Sequence, residues 1–205
     1  MFQYFPSCNF TRMHPQASKW IIQYLRKQPD VKIQGCCNKT KYVVEDQAIT
    51  VCQTCRGYIE GQGYKSISLW EYIDSHEDFP LPDYSGLEVS IQDCWRDKDH
   101  PEVQRAIRNI LTKMNIKYHE VYSPYCANFH MESFDPALQA KIDALEDTHF
   151  DHIPKDVFTS LMDEVVSRHQ GYMILTYCNR CTMGFNLVNA NAKHLLQMIY
   201  EGNQK

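Results

Sequence analysis

The sequence predicts an α/β fold of two pseudo-repeated strand–helix–strand units. Their sheets are expected to be mainly parallel, with cysteines at the C-terminal ends of strands. Three observations predict it. A Cys-x5-His-Pro phrase occurs twice, from Cys8 to Pro15 and from Cys94 to Pro101. A Thr-x-Cys-x-x-Cys phrase also occurs twice, from Thr50 to Cys55 and from Thr176 to Cys181. Strand-like and helix-like runs alternate through both copies, the pattern of parallel α/β folds.

The first copy opens on the apolar run Phe2 to Phe5. Its counterpart, Leu87 to Ile91, alternates with the period of two that strands require. Pro15 and Pro101 each stand where a helix begins, a position that tolerates the missing N–H. Behind them, Ala17, Trp20, Ile21, Tyr24 and Leu25 share one helical face. Val103, Ala106, Ile107, Ile110 and Leu111 do the same in the second copy. Short strands are expected at Val31–Ile33 and at Tyr118–Val121. Each leads to cysteine, Cys36-Cys37 in the first copy and Cys126 in the second. β-type runs then precede Cys52 and Cys178, and helix-like runs follow Cys55 and Cys181.

Tyr64 to Gly86 joins the copies. Ile67 to Ile73 is short enough to be a strand or a helical turn, and Phe79 to Asp83 reads as a linker through its prolines. A long insertion between Cys126 and Cys178 carries helix candidates near Pro136–Glu146 and Lys155–Arg168. The domains expected are residues 1–86 and residues 87–205.

All nine cysteines sort into the two copies. Cys8, Cys36, Cys37, Cys52 and Cys55 form the first set, and Cys94, Cys126, Cys178 and Cys181 the second. Buried cysteines serving as small hydrophobes would not sort in this way. In a parallel sheet the strand ends lie along one edge, so each set is expected to converge there. Thiolates suit zinc and iron–sulfur clusters, so metal ligation is the expectation.

Composition narrows the function further. No apolar stretch is long enough to span a membrane, and the N-terminus does not read as a signal peptide. The expected location is the cytoplasm, where structural disulfides are rare. The net charge of −4 speaks against general nucleic-acid binding. It is uneven: residues 1–62 are net +4 and the remainder net −8. Such asymmetry reads either as solvated helix faces or as a first half suited to an anionic cluster or substrate.

The order of one cysteine, an adjacent pair, then CxxC resembles the CCG domain, a cysteine-rich domain family. That domain occurs twice in one of the polypeptides of heterodisulfide reductase, and in related iron–sulfur proteins. The likeness spans nearly the whole chain, through Cys8, Gly35-Cys36-Cys37, Thr50 to Cys55, Asp93-Cys94 and Thr176 to Cys181. The resemblance implies a [4Fe–4S] cluster, non-cubane in the first site, with Cys8, Cys36, Cys37, Cys52 and Cys55 as ligands. It also implies reduction of a small disulfide or thiol-like substrate, or electron transfer to it, with a flavoprotein or ferredoxin-like redox partner. Two departures stand out. The glycine after the cysteine pair is Asn38, and the second copy has only Cys126 where the first has a pair. Four thiolates there suit an ordinary [4Fe–4S] cluster or zinc. No catalytic acid or base can be named. The rival readings are a zinc-binding structural or interaction protein and a metal-free CxxC thiol–disulfide oxidoreductase.

Other candidates are weaker. His14 and His100 hold matching positions, at a helix start or on the surface. Arg56, Arg96 and Arg180 beside the cysteines could offset cluster charge or could form ordinary salt bridges; Trp95 lies among them. Tyr4, Tyr42, Tyr125 and Tyr177 could line a pocket. Gly61-x-Gly63 lacks the rest of a phosphate-binding loop and reads as a plain loop.

Overall fold

The computed structural model describes residues 1–40, 43, 45–121, 136–145 and 152–204. It is α/β, with two four-stranded, all-parallel sheets. The first is built from β1 (Phe2–Phe5), β2 (Val31–Ile33), β3 (Gln47–Thr50) and β4 (Ser66–Ser68), in the order β2-β1-β3-β4. The second is built from β5 (Glu88–Gln92), β6 (Lys117–Glu120), β7 (Met173–Thr176) and β8 (Ala192–His194), in the order β6-β5-β7-β8. Position for position the order is the same, so the duplicated phrases occupy the same topology.

Helices join the strands, as parallel pairing demands. The first half carries α1 (Cys8–Met13), α2 (Pro15–Leu25), α3 (Gln53–Glu60) and α4 (Leu69–Asp74). The second carries a 3-10 turn (Trp95–Asp97), α5 (Pro101–Lys113), α6 (Pro136–Asp143), α7 (Lys155–Ser167), α8 (Asn179–Leu187) and α9 (Leu195–Gly202). Ile67 to Ile73 resolves into both of its readings, the end of β4 followed by α4. A capping box marks the join. The Ser68 hydroxyl accepts from the Glu71 N–H at 3.1 Å, and the Glu71 carboxylate accepts from the Ser68 N–H at 2.8 Å.

The repeated phrases take up matching backbone conformations. His14 (φ −130°, ψ 62°) and His100 (φ −126°, ψ 64°) both precede a helix with proline in its first turn. Cys52 (φ −116°, ψ 122°) and Cys178 (φ −110°, ψ 124°) both cap the helix after the third strand.

The chain divides into two compact units. The first comprises Met1–Asp83, His100–Met114 and Leu196–Lys205; the second comprises Tyr84–Asp99 and Asn115–Leu195. Thus α5, and α9 from Leu196 onward, belong with the first unit although they follow β5 and β8. In that unit α5 packs on α4, burying Val103, Ala106, Ile107, Ile110 and Leu111. The Lys113 ammonium holds the Asp74 carboxylate at 2.7 Å.

The second unit covers its sheet with the insertion. Phe158, Leu161, Met162 and Val165 of α7 form a core with Ile153, Ile174 and Phe185. At about 25 cal/mol per Å² of apolar surface, such a cluster supplies the main favourable term for this layer. Beside it lies a buried polar tie. One ring nitrogen of His169 is 2.7 Å from the Ser90 hydroxyl, and the other is 3.1 Å from the Gln92 side-chain oxygen. This fixes β5 just before it delivers Cys94.

Burial foremost, with Arg168 adding, holds His169 down to about 4 from its ordinary 6.5. A base with a depressed folded pKa costs nothing above its unfolded value and destabilises as pH falls below it. The unfolding free energy should therefore drop between pH 6.5 and pH 4 by at most about 3 kcal/mol from this group. Urea titrations across that range should show the slope, and His169→Gln should flatten it. An unchanged slope in the variant would mean that His169 is not the titrating group.

Candidate metal centres

The parallel strands end on one edge in each sheet, and the cysteines follow those ends. In the first unit Cys8 follows β1, Cys36 and Cys37 follow β2, and Cys52 follows β3, with Cys55 one turn into α3. The thiols form a continuous series. Cys8 lies against Cys36, Cys36 against Cys37, and Cys55 against Cys52. The Cys37 and Cys55 sulfurs are 3.3 Å apart. None of the five is in a disulfide.

The crowding has an electrostatic consequence. Cys52, then burial, then Cys37 push the Cys55 thiol far up. Burial first, then the charges of Cys36 and Cys52, push Cys37 up despite its bond to Cys55. The Cys36 sulfur pushes Cys8 up, while Cys36 itself is drawn down, first by a backbone hydrogen bond at Asn38. Neighbouring thiols cannot all ionise unless a cation compensates them. A polyvalent metal group would do so.

Asn38 has a local role. Its side-chain oxygen accepts from the Cys36 thiol at 2.8 Å. The Thr40 N–H and hydroxyl both reach the Cys36 carbonyl, at 3.1 and 2.9 Å, and so tighten the turn that presents the cysteine pair. A cavity of about 200 Å³ opens over the set, lined by Phe5, Pro6, Thr11 and Gly35 together with Cys8, Cys36, Cys37 and Cys55.

In the second unit the Cys94, Cys178 and Cys181 sulfurs lie within 4.8 Å of one another, all buried. This group could hold a metal ion. Cys94 is pushed well up by Cys178 and Cys181, whereas Cys178 is drawn well down by Cys181 and Cys94 and by backbone N–H groups at the start of α8. Thiolate character therefore gathers on the helix-capping cysteine. The Tyr177 hydroxyl pins the neighbouring loop: it donates to the Asp93 carboxylate at 2.9 Å and accepts from the Cys94 N–H at 3.1 Å. Cys126, Tyr42 and Tyr125 lie outside the described residues.

The two sets differ by one residue of spacing. Phe5 pairs with Thr50, and Gln92 pairs with Thr176. Cys8 stands three residues beyond Phe5, but Cys94 only two beyond Gln92. The extra residue is absorbed at Ser7, whose φ of 60° is unusual for a side-chain-bearing residue. Cys8 is consequently exposed and begins α1, while Cys94 is 1% exposed. Identical Cys-to-His spacing concealed this shift.

The arginine beside Cys55 turns inward to carboxylates. Arg56 is buried and bonds Glu60 at 2.9 Å, Glu71 at 3.2 Å and Glu102 at 3.3 Å. Glu60 is the i+4 neighbour of Arg56 on α3, but nothing in the sequence spacing announced Glu71 of α4 and Glu102 of α5. His100 joins it through Glu102 at 3.0 Å. His14 is half-buried and held down by burial, with Gln197 and Glu201 opposing. The Lys98 ammonium stands 5.1 Å from the centre of the Trp95 ring. Gly63 sits in the loop after α3 at φ 83°.

Arg56→Met would leave three carboxylates facing one another without their cation. The unfolding free energy should fall by about 2 kcal/mol, below the range for fully buried pairs because the carboxylates are partly solvated. Urea denaturation measures it, and a variant as stable as the parent would show the hub to be dispensable. Set against known proteins, the chain matches no family model and no curated protein sequence.

Proposed function

We propose that this chain is an iron–sulfur redox protein of the CCG type, passing electrons to a small disulfide or thiol-like substrate or reducing it. The observation that carries the reading is a set of five cysteines of which four, Cys8, Cys36, Cys37 and Cys55, line one cavity and the fifth, Cys52, lies beside Cys55. Thiol sets of this size suit polynuclear iron–sulfur centres better than a single ion, since four thiolates already saturate a tetrahedral zinc. When bound, the cluster would supply one-electron chemistry at an iron site.

The chain's own residues would do the rest. Cys37, Cys52 and Cys55 would hold the buried side of the group, and Cys8 and Cys36 the open side. Phe5 and Pro6 would give the cavity an apolar wall that favours a sulfur-bearing ligand over water. The net positive charge of residues 1–62 would offset an anionic centre. The resemblance adds a flavoprotein or ferredoxin-like electron donor.

The buried Cys94, Cys178 and Cys181 group favours a different role. A closed, solvent-excluded set of thiolates suits a structural metal, zinc or a [4Fe–4S] cluster, or an electron relay, with Cys126 as the candidate fourth ligand. In this reading the first set performs the chemistry and the second supports it.

Protein purified anaerobically should be brown and contain iron and acid-labile sulfide. Cys37→Ser should remove the first centre's magnetic-resonance signal and any viologen-driven disulfide reduction, with little loss of thermal stability. Cys178→Ser should lower stability more. Zinc without sulfide in the parent protein would refute the cluster reading. Loss of the signal in Cys178→Ser alone would exchange the two roles.

A further inference from the structure

Cys37 and Cys55 come from different parts of the first unit, the loop after β2 and the start of α3. Their sulfurs nonetheless stand 3.3 Å apart. A disulfide needs about 2 Å, so the pair is about 1.3 Å short of a bond. Neither cysteine is in a disulfide.

Packing holds them there. Cys37 rests against the core cluster of Phe5, Ala48 and Ile59. Ile59 lies four residues after Cys55, on the same face of α3. The face that carries Cys55 is thus the face that Cys37 meets. The neighbouring thiols are placed otherwise. Cys36 donates to the Asn38 side-chain oxygen at 2.8 Å, and Cys52 caps α3 from an extended backbone.

Access separates this pair from the second set. Cys37 and Cys55 both line the cavity of about 200 Å³. Cys94, Cys178 and Cys181 are only 1%, 5% and 0% exposed. A small reagent that enters the cavity meets the first pair and is shut out of the second set.

We propose that Cys37 and Cys55 form a reversible disulfide when the first thiol set is empty, closing two of its ligand positions until they are reduced. The closing of ligand positions rests on the reading that this set binds metal; the bond itself rests on the 3.3 Å approach. The oxidant is a small-molecule disulfide. One cysteine sulfur attacks it as the thiolate, forming a mixed disulfide and releasing one small thiol. The other cysteine sulfur then displaces the second small thiol and completes the bond. The pair loses two electrons and two protons in all, and the two small thiols carry them away.

The test uses the full chain, stripped of metal under reductant, freed of reductant anaerobically and then exposed to oxidised glutathione. Remaining thiols are alkylated, and the bonds are mapped by mass spectrometry with peptide fragmentation. The chain should lose two hydrogens in mass and show Cys37 joined to Cys55. Cys94, Cys178 and Cys181 should be alkylated only after denaturation. The bonded form should take up less cobalt(II) than the reduced form, because a disulfide sulfur is no longer a thiolate ligand. A reductant should restore both the mass and the uptake.

Any pairing that leaves Cys37 and Cys55 apart would overturn the inference, a bond between Cys52 and Cys55 above all. So would glutathione adducts without an internal bond, or undiminished cobalt uptake by the bonded form. The two readings fail separately. A mapped Cys37–Cys55 bond in a chain that, once reduced, takes up neither cobalt nor iron and sulfide would sink the metal reading and spare the bond. A chain that assembles its cluster yet never forms this bond when emptied would do the reverse.

Discussion

Parallel pairing of one central strand with two neighbours is the constraint from which the rest follows. β1 lies between β2 and β3, and β5 lies between β6 and β7, all in one direction. Three successive chain segments therefore leave the sheet at the same edge. Cysteines that are distant in sequence, from Cys8 to Cys55, become neighbours without a disulfide between them. The sheet supplies the rigidity, and the loops only have to place sulfur.

The two edges have diverged in their degree of enclosure. One added residue at Ser7 moves Cys8 outward and leaves a cavity over the first set, whereas Cys94, Cys178 and Cys181 are sealed. An exposed thiol beside a cavity can meet a substrate, and a sealed group can hold a fold together or relay charge. The hub on Arg56 connects α3, which bears Cys55, to α4 and α5 of the same unit. Loss of its charge would be felt at the thiol set through the helix that carries both.

Much of this was legible in the residues. Strict repetition of Cys-x5-His-Pro and Thr-x-Cys-x-x-Cys placed both copies in one topology. β2 lies where Val31–Ile33 was read. β5, β6 and the helices behind Pro15 and Pro101 lie where periodicity put them, within a residue or two. The fourth strand of each sheet was the main omission. β4 was only half read, in Ile67–Ile73, and β8 not at all. Ser66–Ser68 and Ala192–His194 are three residues each, too short to show a period, and their strand character comes from pairing with β3 and β7. The grouping of α5 and α9 with the first unit was equally hidden, because an amphipathic face states that it will be buried but not against what. Arg56 read equally as a cation for a cluster and as an ordinary salt-bridge partner; it takes the second role, with carboxylates from three separate helices.

The central claim is that the thiol sets are metal centres rather than reservoirs of reduced cysteine. Native mass spectrometry of the anaerobically isolated chain tests it most directly, since it weighs the protein with whatever it holds. The account predicts a mass above that of the polypeptide by at least one complete iron–sulfur cluster, with a second increment for a cluster or a zinc ion. A bare polypeptide mass, or one lowered by the hydrogens lost to disulfides between these cysteines, would contradict it.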